Sequence, residues 1–190
     1  MHEAGSWMSV HGRRGFTLIE LTAVIAIISI LASVAVVAYR NVRAIEYDRE
    51  AVATVAEISL RATQMISDWG LGDGDFAVQA QVLSWNPATL SEGTAEVMQA
   101  GGAWDALGLR IDGTHHWQYQ VCFGNMLQDN GGANVEGILV TARSTINGRR
   151  RVVVYGSGME SPIIDPQTLP EGVLVSTCPV WTHDNGCVNN

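Results

Sequence analysis

Hydrophobic and polar positions divide the chain into three regimes. From Phe16 to Tyr39 only Thr17, Glu20, Thr22, Ser29 and Ser33 interrupt an apolar run. As a helix that run rises about 36 Å, enough to cross the hydrocarbon core of a bilayer. From Ile45 to Trp69 the helical period continues but becomes one-sided. Ala51, Val55, Ile58, Ala62, Met65, Ile66 and Trp69 recur at spacings of three and four, while Glu46, Asp48, Glu50, Glu57 and Arg61 fall largely elsewhere. No break signal occurs before Gly70, a suitable C′ residue. One long helix is therefore expected, with a membrane half and an amphipathic half that needs a partner surface.

From His115 the period changes to two. Trp117, Tyr119, Val121 and Phe123 alternate with His116, Gln118, Gln120 and Cys122, the signature of a strand with one apolar and one polar face. The runs "GILVTARSTI" and "RRRVVVYGS" flank Asn147-Gly148, a strong hairpin signal, and "GVLVSTCPV" offers a fourth strand. Between the regimes, "GLGDGD" reads as a turn, Val78 to Trp85 as a short strand broken by Asn86-Pro87, and "LSEGTAEVMQAGG" as a short helix before Gly101. The fold class is α+β: a long N-terminal helix packed by its amphipathic half against a C-terminal antiparallel sheet. The expected organisation is a leader at 1–15 and an apolar transmembrane and assembly helix at 16–43. Its amphipathic continuation covers 44–70, a connecting region 71–114, and the sheet with a C-terminal cysteine loop 115–190.

Charge narrows the function. All basic residues are Arg, and from Ala44 onward seven Arg face seventeen Asp and Glu. That field argues against nucleic acid as a partner. The apolar run is too long for a secretory signal and no small-x-small cleavage site follows it, so it reads as a retained anchor. Arg13 and Arg14 before it and Arg40 and Arg43 after it leave orientation a near tie by charge alone. Cys122, Cys178 and Cys187 all lie beyond the anchor, as expected if that half meets an oxidising compartment.

Within this frame, Glu20 in an apolar helix needs a reason, because an ionised group inside hydrocarbon is costly. The residues "RRGFTLIEL" resemble the processing site of type IV prepilins and the related pseudopilins. The likeness continues through "LTAVIAIISILASVAVVAYRNV" and then gives way to architecture, a pilin-like α/β roll. The resemblance implies a basic leader carrying Arg13 and Arg14, and cleavage between Gly15 and Phe16 by a membrane-embedded prepilin peptidase facing the cytoplasm. It also implies N-methylation of Phe16, and an assembly role for Glu20 through pairing with the Phe16 amine of a neighbouring subunit. Without that context Glu20 would be an acid snorkelling to the headgroups.

The same likeness implies a precursor that crosses the bacterial inner membrane once with its C-terminal domain outside the cytoplasm, then a place in a periplasmic or cell-surface filament. The implied partners are prepilin peptidase, other pilin or pseudopilin subunits, an inner-membrane assembly platform and membrane lipid. Many major pilins carry Gly and Pro where this chain has Ser29 and Val37, and nothing here removes a helical hydrogen bond. The expected role is thus a structural subunit, a minor pilin of a type IV pilus-like filament. A type II secretion pseudopilin is the alternative, and a DNA-uptake pilin the weaker reading.

Other motifs carry less. Three cysteines allow three single pairings, and the sequence does not choose among them. A C-terminal loop closed by Cys178 and Cys187 is what the resemblance implies; Cys122, on the polar face of its strand, is able to pair with either. His115, His116, His183 and the cysteines lack structural zinc spacing, and adjacent His115 and His116 should point to opposite faces. The acidic stretches at 73–75 and 129–137 lack the ligand order of a calcium loop. Arg149, Arg150 and Arg151 read as a solvated hairpin edge, with phosphate contact as the rival. No catalytic arrangement, metal set or cofactor motif emerges, so no cofactor and no enzymatic activity are expected.

Overall fold

The computed structural model describes residues 16–69, 82–92, 94–106, 108–109, 111–125, 136–170, 173, 178 and 180–188. Helix α1 runs Leu18–Trp69, followed by β1 (Glu96–Val97), α2 (Gly102–Ala106), β2 (Thr114–His115), β3 (Gln118–Asn125), β4 (Glu136–Ile146), β5 (Arg149–Gly156), β6 (Ile163–Ile164), β7 (Val180–Thr182) and β8 (Gly186–Val188). The chain forms two units, Met1–Asn41 and Val42–Asn190, and α1 contributes to both.

In the first unit the apolar side chains from Phe16 to Tyr39 are exposed, and α1 is long and apolar enough to cross a membrane. Its hydroxyls are satisfied within the helix. Thr22 donates to the Ile19 carbonyl at 3.0 Å, Ser29 to Ile25 at 2.7 Å and Ser33 to Ile30 at 2.7 Å. A polar group in hydrocarbon needs an internal partner, and a back-bonded hydroxyl has one. The hydroxyl interruptions thus leave the run compatible with lipid.

In the second unit the amphipathic stripe is buried as its spacing predicts. Ala51, Val55, Ile58, Ala62 and Met65 lie in one core with Trp117, Tyr119, Val121, Phe123, Ile138, Val140, Ala142 and Val153. The main sheet has the order β3-β4-β5-β6 and every pairing is antiparallel. Asn147 and Gly148 both take positive φ, 53° and 72°, as the tight β4–β5 turn requires.

The expected polar face of β3 is a correction. Gln120 and Cys122 are buried, because the other side of the sheet carries a second core. Cys122, Leu139, Val152, Val154, Val173, Cys178 and Cys187 form it, with Val82, Met159, Leu169 and Trp181 packed at its margin. The alternation of β3 identified the helix-facing residues correctly but not the cover on the opposite side. That cover comes from residues distant in sequence, which a local period does not register.

Three further expectations also change. Among the described residues of "LSEGTAEVMQAGG" no helix forms before Gly101; β1 lies there instead, and α2 follows the glycine, since Gly101 and Gly102 at φ 97° and 68° break the backbone first. The fourth strand of the main sheet is β6; of the run 172–180 only Val173, Cys178 and Val180 are described, and Val180 opens the separate β7–β8 pair. Of the strand expected at Val78 to Trp85, Val82 bridges Cys122, and Asn86 just beyond it bridges Tyr119 alongside β3. Leu83, Ser84 and Trp85 between them belong to no strand, while residues 78–81, the Gly70 cap and both acidic stretches, apart from the start of β4, lie outside the described residues.

Candidate functional site

The helix start carries the chemistry singled out in the sequence. Arg13, Arg14 and Gly15 lie outside the described residues, and Phe16 is 80% exposed. Thr17 is the N-cap and Glu20 the third helical residue. The Thr17 N–H and hydroxyl donate to Glu20 Oε2 at 2.9 and 2.8 Å, and the Glu20 N–H donates to Thr17 Oγ1 at 3.3 Å. This is a reciprocal capping box, which satisfies helix-end donors that otherwise lack partners. Glu20 is also an anion in the first turn, where the helix dipole favours it. Thr17 was missed as a functional residue, although the T-x-x-E spacing before an apolar run is a readable signal.

Both side-chain-directed bonds fall on one oxygen, Oε2. The carboxylate is therefore held in place with Oε1 taking no hydrogen bond among the described residues. A fixed, exposed carboxylate at the head of an apolar helix suits an incoming cation. Cleavage before Phe16 would leave the box whole, because Thr17 and Glu20 both lie downstream.

In the second unit, Cys178 and Cys187 are joined by a disulfide and Cys122 is a buried free thiol. Closing a loop of this size stabilises the fold by about 2–3 kcal/mol in the chain-entropy account. Burial pushes the Cys122 thiol well above its usual pKa. Gln120 clamps β8 beside it: the Cys187 N–H donates to Gln120 Oε1 at 2.9 Å, and Gln120 Nε2 donates to the Cys187 carbonyl at 3.4 Å.

His115 and His116 do not diverge as a strand would make them, since β2 ends at His115 and β3 starts at Gln118. Both rings reach Glu50 of α1. His116 Nδ1 lies 2.8 Å from Glu50 Oε2, its N–H donates to Oε1 at 2.7 Å, and His115 Nδ1 lies 3.9 Å from Oε1. With the Trp117 indole donating to the Tyr47 carbonyl at 2.8 Å, this ties the helix to the start of β3. His183 lies elsewhere, beside Asp165 and Asp184.

The arginine run is not one solvated patch. Arg151 pairs with Asp48 and Asp165, and Arg150 donates to the Asp184 carbonyl at 2.8 Å, leaving Arg149 exposed. Arg143, its guanidinium 3.8 Å from the Trp85 ring centroid, has its pKa lowered by burial and by nearby Arg150. Two of the three arginines are thus committed within the fold.

Residues 10–36 match the family model described as prokaryotic N-terminal methylation motif. No curated protein and no solved structure matches the chain significantly.

Proposed function

From the type IV pilin and pseudopilin precursor signature at residues 10–36, we propose that this chain is a structural subunit of a type IV pilus-like filament, acting as a minor pilin. A prepilin peptidase removes residues 1–15 between Gly15 and Phe16 and methylates the new Phe16 amine. The apolar half of α1 holds the subunit in the inner membrane and then packs against other subunits. Glu20 receives the Phe16 ammonium of its neighbour. Two charges that each cost free energy in an apolar setting compensate there, and the contact selects one axial register.

The observation that carries this reading is the match over residues 10–36 together with Glu20 held exposed by Thr17 at the head of α1. The minor-pilin assignment is supported by α1 itself, which runs unbroken past Ser29 and Val37.

The test is intact mass and N-terminal sequencing of the protein from its native membrane, with and without the peptidase. The expected product starts at Phe16 and is heavier by one methyl group; a chain that keeps residues 1–15 beside active peptidase defeats the reading. Deleting the protein should reduce surface filaments and leave secretion intact. The reverse phenotype would make it a secretion pseudopilin.

A further inference from the structure

The second core holds a feature that filament assembly does not use. Cys122, Cys178 and Cys187 are all buried, and their sulfurs lie within 4.8 Å of one another. One of the three is a thiol and the other two form a disulfide. A free thiol against a disulfide is the pair of reactants for thiol–disulfide exchange. We propose that Cys122, Cys178 and Cys187 form one exchange site, in which Cys122 is the internal nucleophile and the bridge migrates between Cys178–Cys187 and a pairing that includes Cys122.

The step is balanced within the chain. Cys122 loses its proton and its thiolate attacks one sulfur of the bridge. A new S–S bond forms as the Cys178–Cys187 bond breaks, and the electron pair leaves on the other cysteine. That thiolate takes up the proton, so no oxidant or reductant is needed and one thiol per chain remains throughout.

Two structural features set the rate. The site is sealed, and burial keeps the Cys122 thiol protonated, so exchange in the closed fold is slow. The part of its cover that bears Cys187 is small: β7 and β8 are three residues each, packed there beside Val82, Met159, Leu169 and Val173. Gln120 and the Trp181 indole, which donates to Thr141 Oγ1 at 3.2 Å, are among the contacts that hold this pair to the sheet. Opening of this pair admits solvent, ionises Cys122 and brings the exposed thiol of Cys178 or Cys187 to the surface. Small, weakly held elements open locally well before global unfolding.

The test uses the full chain in detergent, incubated at pH 8.5 with no added thiol, in urea concentrations below the onset of unfolding seen by circular dichroism. Samples are quenched and unfolded in acid with N-ethylmaleimide and mapped by non-reducing peptide mass spectrometry. The expected result is label appearing on Cys178 or Cys187, at least tenfold above a sample held in acid, with one label per chain. Label confined to Cys122 in every sample overturns the proposal. Cys187→Ser and Cys178→Ser, each treated with oxidised glutathione, report the Cys122–Cys178 and Cys122–Cys187 cross-links in turn, and at least one should form; two folded variants that both leave Cys122 unlinked also overturn it. Should either variant fail to fold, the wild-type map still decides.

Discussion

Arg151 of β5 ion-pairs with Asp48 of α1, residues 103 positions apart in sequence. The same guanidinium reaches Asp165 at 2.8 Å, next to β6, so one side chain ties helix, central strand and edge strand. Asp48 is largely buried and Arg151 half-buried. Arg151→Ala strips both carboxylates of their shared partner, whereas Asp48→Asn keeps a hydrogen-bond acceptor and the Asp165 contact. Arg151→Ala should cost about 1–3 kcal/mol and Asp48→Asn less. Urea midpoints at unchanged slope are the measurement.

Gly186 sits at φ 67° where β8 meets Trp85 and Gln120. A Cβ there would stand 2.8 Å from a Trp85 ring carbon, inside any tolerable contact. Gly186→Ala combines backbone strain with overpacking and should destabilise by about 1–3 kcal/mol. Because the clash lies at the edge of the second core, the variant should also expose Cys122 to alkylation in the native state.

The Cys122 thiol has a raised pKa in the fold because burial disfavours the thiolate. Unfolding releases it to an ordinary value of about 8.5. Above that pH the unfolded chain binds fewer protons than the folded one, so stability is complete below about pH 8.5 and falls as pH rises. The loss should reach about 2 kcal/mol by pH 10. Cys122→Ala, less stable at neutral pH through its cavity, should show a flatter profile between pH 8.5 and 10 in rapid urea titrations.

Glu20→Ala should leave membrane retention and cleavage before Phe16 intact, because neither needs the carboxylate. Incorporation into sheared filaments should fall at least tenfold. Thr17→Val removes the hydroxyl bond to Glu20 and leaves the backbone one, so its filament yield should lie between those of the wild type and Glu20→Ala. Quantitative blotting of membrane and filament fractions measures both.

Much of this was readable from residue order, because the determinants are local. The length and purity of the apolar run, the three- and four-residue stripe from Ala51 to Met65, the helix-facing alternation of β3 and the Asn147-Gly148 turn each follow from backbone periodicity or φ preference. The string from Arg13 to Glu20 lies within the matched N-terminal methylation motif, and its T-x-x-E spacing held the cap as well.

Tertiary structure decided what depends on segments meeting from far apart. Only packing shows that the second face of β3 is covered, which turns Gln120 and Cys122 from surface residues into buried ones and gathers three sulfurs in one place. Only packing turns His115 and His116 to the same carboxylate and splits the arginine run between Asp48, Asp165, Asp184 and solvent. A local period reports which side of an element is apolar. It says nothing about what a chain returning scores of residues later will lay against the other side.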